Sequence, residues 1–196
     1  MTERIETRLE GPILVQPEVF RDERGFFHEN YRRREWAALG IDLEFVQDNH
    51  SRSDRGVVRG MHFQSRGGPG DRGMSKLVRC SAGAILDVVV DIRRGSPTFG
   101  EWEAFELDDD NLRQLLCPVG FAYGFCVVSE TADVVYRCDA YYDPESEGGF
   151  AYDDPDVGIH WPEGLELIPS TRDAFAPRLE QVVDELPFEY SSPPAR

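Results

Sequence analysis

The feature that most constrains this chain is its rhythm. Short runs rich in Val, Ile, Leu, Phe and Tyr follow one another, and turn-forming clusters such as SDRG, RGGPGDRG, RRGSPTFG and DDDN interrupt them. Glycine and proline break regular structure, and Asp and Asn fold back on their own backbone, so such clusters mark turns. The runs predict strands over 13–17, 26–31, 44–51, 56–64, 76–82, 84–93, 100–107, 113–118, 124–129 and 132–139. Helical patterning is confined to 34–40 and 178–186. Many short strands at near-regular spacing specify an all-β sandwich or barrel with short peripheral helices, not βαβ units. A chain of 196 residues fits one domain, 1–196, with a core over about 10–180 and a loose, proline-containing tail at 190–196.

The charge balance excludes some partners. The formal net charge is −16. Nucleic acid needs a basic face to neutralise phosphates, so it is not an expected partner. The acid is concentrated in turn-like clusters (108–111, 153–156, 184–189), which read as a solvated surface. No run reaches the ~18 apolar residues of a membrane-spanning helix, and the first dozen residues lack the apolar core of a signal peptide. The expectation is a cytoplasmic protein without a membrane partner. Cys80, Cys117, Cys126 and Cys138 are widely spaced within apolar stretches, which suggests buried free thiols and neither a disulfide framework nor a zinc site.

Chemistry is concentrated around VVRGMHFQ (57–64). It sets His62 within a strand, with Arg59 nearby and Lys76 shortly after. Of 21 basic residues Lys76 is the one lysine, and it opens the apolar run KLV. An ammonium is a compact point charge, unlike the planar guanidinium fork. Strand alternation puts Val58, Gly60, His62 and Gln64 on one face and Arg59, Met61 and Phe63 on the other. Arg59 joins His62 only if the strand bulges, and Gly60 is where a bulge would form. In the strand over 84–93, Asp87, Val89 and Asp91 share a face; a carboxyl among such apolar neighbours needs a partner. Tyr136 shares a face with Val134 and Cys138. The glycine-rich segment 65–73 is followed by a strand, so it reads as a hairpin loop or lid and not as a phosphate cradle. A pocket with histidine, tyrosine, lysine and aspartate suits proton transfer, since histidine titrates near neutrality and lysine stabilises a developing oxyanion.

Seven segments, in order, add a resemblance: RDERGFFHENY (21–31), FVQDNHSRSDRGVVRGMHFQ (45–64), KLVRCSAGAILDVVVDIRRGSPTFG (76–100), CPVGFAYGF (117–125), VVYRCDAYYDP (134–144), GIHWP (158–162) and STRDAFAP (170–177). Together they closely resemble the dTDP-4-dehydrorhamnose 3,5-epimerase family. The resemblance implies a cupin-type jelly-roll β-sandwich. It also implies cofactor-independent inversion of C3 and C5 of dTDP-4-dehydro-6-deoxyglucose. It makes His62 the general base paired with Asp173, Tyr136 the acid on the opposite face, and Lys76 the holder of the enolate oxygen. Substrate contacts fall on Arg24, Phe27, Glu29, Gln47, Asn49, Arg59, Tyr123 and Tyr141 or Tyr142. No metal is implied, and a homodimer is, in which N-terminal residues complete the partner's site.

Three positions depart from the family pattern. Tyr123 stands where GFAHGF has histidine, Arg172 replaces the lysine of the S-x-K-D motif, and Lys76 lacks the preceding glutamine. The Tyr123 departure opens a second possibility, a mono-epimerase of C3 or C5 or a keto-isomerase of a rarer deoxysugar. A non-catalytic cupin that binds a nucleotide-sugar has no need of an acid and a base together. A metal cupin needs more histidines than His62 alone near the site.

Overall fold

The computed structural model describes residues 1–191, so most of the expected tail lies outside the described residues. The strands are β1 (Glu3–Ile5), β2 (Ile13–Gln16), β3 (Val19–Asp22), β4 (Gly25–His28), β5 (Gln47–Asp54), β6 (Val58–Gln64) and β7 (Lys76–Ala82). They continue with β8 (Ala84–Asp91), β9 (Trp102–Asp108), β10 (Gln114–Cys117), β11 (Phe121–Val127), β12 (Thr131–Cys138) and β13 (Glu147–Gly149). The helices are α1 (Arg33–Ala38), α2 (Thr171–Ala174) and α3 (Leu179–Val182), the last running into a 3₁₀ turn at Val183–Glu185.

Two antiparallel sheets face each other. One has the order β1-β2-β10-β7-β12-β5 and the other β13-β6-β11-β8-β9, while β3 and β4 form a separate hairpin. This is the jelly-roll β-sandwich expected from the strand rhythm and the resemblance. The inner faces bury Leu14, Val78, Leu115 and Val134 from the first sheet against Ile85, Val89, Leu107, Phe125 and Val127 from the second. The outer faces are covered as well. Trp36 of α1 packs on Val15 and Leu77, and Phe150, Leu179, Leu186 and Phe188 cover Met61, Val88 and Ile92. Coverage on both sides explains why β8 and β11 read as near-continuous apolar runs. Fully burying each such side chain contributes about 1.5–3 kcal/mol.

Differences from the expected elements have local causes. β1, β3 and β13 carry ERI, VFRD and EGG, too short and too polar to show alternation. The strand expected over 124–129 begins at Phe121, immediately after the Pro118–Gly120 turn. The strand expected over 44–51 is displaced to Gln47–Asp54 because its polar end pairs with β12 in the register Thr131↔Asp54. The strand expected over 26–31 stops at His28, and α2 is only four residues long. The loop 65–73 is not a hairpin, since β6 and β7 belong to different sheets and the loop crosses between them.

The irregularity at Gly60 is present. Tyr123 pairs with His62 but Phe125 pairs with Arg59, so β6 carries one more residue than β11 across this interval. Gly60 has φ +149°, and a Cβ built on it would lie 2.6 Å from Gly124 Cα. Two glycines therefore let the strands close around the bulge. The slip puts Arg59 and His62 at the same cavity, and Met61, opposite His62, packs in the outer core. Gly60→Ala should destabilise the fold by about 2–4 kcal/mol in chemical denaturation; unchanged stability would show that this close approach is not required.

Candidate active site

The sandwich is filled by side chains over most of its length and opens at one end. There a cavity of about 470 Å³ is lined by residues of both sheets and of α2. That volume suits a small organic ligand. From the first sheet come Gln47 and Asn49 of β5, Lys76 of β7, and Tyr136 and Cys138 of β12; from the second come Arg59, His62 and Gln64 of β6 and Tyr123 of β11.

His62 and Asp173 meet across 111 positions of sequence. The imidazole Nε2 lies 2.7 Å from Asp173 Oδ1. A carboxylate only accepts, so Nε2 carries the hydrogen and Nδ1 is left as the free lone pair. Asp173 is buried and its backbone N–H donates to Ser170 Oγ at 3.1 Å, an N-cap that fixes the start of α2. Beside this pair, Glu147 of β13 accepts from Arg172 Nη1 at 2.5 Å and from Tyr142 Oη at 2.8 Å. Burial alone pushes the Glu147 carboxyl up, but those two donors more than offset it and hold it below its ordinary range. Arg172 thus ties α2 to β13 next to the histidine.

Lys76 lies between two aromatic faces. Its Nζ is 5.3 Å from the Tyr123 ring centroid and 5.8 Å from that of Tyr136. Among the described residues no carboxylate pairs with it within 4.0 Å. The ammonium is held by ring quadrupoles and keeps its donors for the cavity. Burial pushes the Tyr136 phenol up, so it enters neutral conditions fully protonated.

The polar rim is braced internally. Gln47 Oε1 accepts the Tyr142 N–H at 2.9 Å and its amide donates to Asn49 Oδ1 at 3.1 Å. Arg59 donates Nε and Nη2 to Ser53 Oγ, both at 3.0 Å. Gln64 donates to the Arg66 and Tyr141 carbonyls and accepts from Asp143 N–H, which anchors the segment after β12 at the mouth. The cysteines are free and buried; burial pushes Cys138, the one lining the cavity, up to about 11, and it is a poor nucleophile.

The expected residues thus divide into two groups. His62, Asp173, Tyr136, Lys76, Gln47, Asn49, Arg59, Tyr123 and Tyr142 all line this cavity. Tyr141 is 72% exposed and contributes its carbonyl rather than its ring. Arg24, Phe27 and Glu29 are not brought to it within the chain. Phe27 and Arg24 belong to or flank the β3–β4 hairpin, where Arg24 pairs with Asp22, and Glu29 pairs with Arg32. Glu147 was not among the expected residues. Its signal was faint: a glutamate in a short polar segment soon after the paired tyrosines.

Comparison with known proteins agrees over nearly the whole chain. The family model described as dTDP-4-dehydrorhamnose 3,5-epimerase matches residues 6–181. The dTDP-4-dehydrorhamnose 3,5-epimerase of Salmonella typhimurium is 45% identical over 180 residues, covering 91% of this chain and 96% of that protein. The Legionella pneumophila dTDP-6-deoxy-D-glucose-3,5-epimerase, solved with dTDP-4-keto-L-rhamnose, superimposes with a TM-score of 0.92 at 43% identity. That likeness covers 98% of this chain and 100% of that one. A 3′-monoepimerase of Streptomyces bikiniensis, solved with dTDP-quinovose, is 36% identical with a TM-score of 0.84 over 91% of this chain and 89% of its own. Sequence and fold agree: the chain belongs to the dTDP-4-dehydrorhamnose 3,5-epimerase family of isomerases.

Proposed function

We propose that this chain inverts C3 and C5 of dTDP-4-dehydro-6-deoxyglucose by proton exchange beside the 4-keto group. The observation that carries the reading is one cavity lined by His62 of one sheet, backed by Asp173 of α2, and by Tyr136 of the other sheet, with the Lys76 ammonium 5.8 Å from the Tyr136 ring. A sugar ring lying between the sheets meets a base on one face and an acid on the other. His62 Nδ1 takes the proton from the carbon next to the carbonyl, and the electron pair passes into the C=O to form an enolate. The Lys76 ammonium stabilises that oxygen. The enolate carbon takes the Tyr136 Oη proton from the opposite face, and the ketone re-forms with inverted configuration. Solvent then returns a proton to the tyrosine and removes one from the histidine. The keto group makes the C–H acidic enough that no cofactor enters the balance.

The acid and base are surplus to a pure nucleotide-sugar binder. Tyr123 supports a second reading, inversion at one carbon alone, as the name of the Streptomyces bikiniensis relative describes for that protein. One experiment separates them. Incubation with dTDP-4-dehydro-6-deoxyglucose in D₂O should place deuterium at C3 and C5 at comparable rates by NMR, whereas deuterium at one carbon would select the mono-epimerase. His62→Ala should lower that exchange by ~10²–10⁴-fold with the fold intact; exchange near the wild-type rate would refute the assignment of the base.

Lys76 offers a point donor between two rings, which a planar fork fits poorly. Lys76→Arg should therefore cut turnover at least about tenfold while keeping the charge, a loss of ~1.4 kcal/mol of transition-state stabilisation. Normal turnover would reduce Lys76 to a generic cation.

The chain acts as a homodimer in this reading, and Arg24, Phe27 and Glu29 serve the partner's cavity. Support comes from the β3–β4 hairpin, which leaves Phe20, Phe26 and Phe27 each about half or more exposed within one chain. Isolated apolar patches of this kind mark association surfaces. Complementation tests it: Arg24→Ala and His62→Ala, each poorly active alone, should regain activity when denatured and refolded together. No recovery on mixing would place Arg24 outside a shared site.

A further inference from the structure

Two carboxyls project from β8 into the space between the sheets, and their surroundings differ. Asp91 is fully buried and well supplied with donors: Arg93 Nε at 2.9 Å and Nη2 at 2.7 Å, Ser96 Oγ at 2.6 Å, Thr98 Oγ1 at 2.7 Å and the Arg93 N–H at 3.0 Å. Burial pushes it up, but these donors more than compensate and hold it below its ordinary range. Asp87 lies on the same face and is also fully buried, yet neither of its oxygens completes a hydrogen bond. The groups that face it are the Tyr123 phenol, the Lys76 ammonium, the Cys117 thiol and the Val88 N–H. None forms an ion pair with it, and burial drives its carboxyl well above the ordinary range. An anion here would lose its hydration without a completed hydrogen bond or ion pair in return, which favours the neutral acid.

Tyr123 Oη is also a buried polar atom without a partner. Tyr123 pairs with Val89 while Phe125 pairs with Asp87, so the phenol is one step along the same inner face. Burial, with Asp87 adding to it, pushes this phenol well up too. A neutral carboxyl and a phenol each have one O–H to donate and lone pairs to spare. One hydrogen bond between the two groups therefore satisfies Tyr123 Oη and one Asp87 oxygen together, two of the three buried oxygens left without partners, and such unpartnered atoms are rare in folded proteins.

We propose that Asp87 is a positioning residue for the epimerisation: its carboxyl shares a hydrogen bond with the buried Tyr123 Oη and so fixes the ring over which the Lys76 ammonium lies. The inference rests on the proposed reaction. Tyr123 lines the cavity and carries Lys76 over its ring, while its hydroxyl is buried, so the bond at the hydroxyl holds the face on which the ammonium rests. Asp87 lies beneath and touches no substrate itself. The base and the acid are elsewhere, so the pair acts on enolate stabilisation and not on proton transfer.

The test uses the full chain and deuterium exchange from dTDP-4-dehydro-6-deoxyglucose in D₂O. Asp87→Asn supplies an amide N–H in the same place and should hold kcat within about threefold, whereas Asp87→Val should lower it about tenfold with KM unchanged. Tyr123→Phe should cost the same, and the Asp87→Val/Tyr123→Phe double variant should be no worse than either single variant. Asparagine as damaging as valine, valine without effect, or losses that multiply would each overturn the proposal. Infrared spectroscopy decides the matter independently of any variant's activity. The wild type at pH 7 should show the C=O stretch of a buried protonated carboxyl, lost in Asp87→Asn; no such band overturns the proposal. A wild type that shows the band but exchanges no deuterium would instead refute the proposed reaction and leave the hydrogen-bonded pair standing.

Discussion

One extra residue in β6 underlies the whole site. A regular strand would send Arg59 and His62 to opposite faces of its sheet, one toward the cavity and the other toward the outer core. The bulge at Gly60 aligns both with the cavity, while Met61 stays on the outer face opposite His62. It is feasible only because Gly124 on β11 also lacks a side chain; a Cβ there would come within 2.7 Å of Met61 Sδ and 2.9 Å of the Arg59 carbonyl. The placing of His62 beside Arg59 thus traces back to two glycines outside the cavity lining.

Much of this was legible from residue order, for identifiable reasons. Strands that bury both faces leave long apolar runs, and those of β7 and β8 start where expected. The alternation of Asp87, Val89 and Asp91 survived intact because β8 is paired on both sides and has no room to slip. The bulge was foreseeable because glycine in a strand interior signals one. Other features carry no periodic signal. β13 is three residues long and matters through its pairing, Gly149↔His62, which is a property of the fold. The tie from Arg172 to Glu147 joins segments with no local relation. Alternation alone does not distinguish Asp87 from Asp91: the difference lies in the turn after β8, which folds Arg93, Ser96 and Thr98 back onto one carboxyl and leaves the other bare.

The two sheets divide the labour. His62, with Asp173 of α2, lines the cavity from one sheet and Tyr136 from the other; Lys76 and Tyr123, one from each sheet, line it as well. Rigid, hydrogen-bonded strands hold the opposing groups, which is how a scaffold fixes reacting atoms without a moving part. The mouth is shaped by less regular segments, where Gln64, Tyr142 and Arg172 tie loops together.

The 111-residue separation of His62 and Asp173 has a consequence for biosynthesis. Translation delivers the imidazole, the ammonium and the phenol of Tyr136 before the carboxylate that orients the imidazole. A nascent chain can therefore pair its strands and enclose most of the cavity while its histidine is still free to turn. The covering of the second sheet by Phe150, Leu179, Leu186 and Phe188 comes with the same late segment. The imidazole's partner and the final burial arrive together, so an incomplete translation product lacks the one and is apolar on one face, the kind of species that cellular quality control removes.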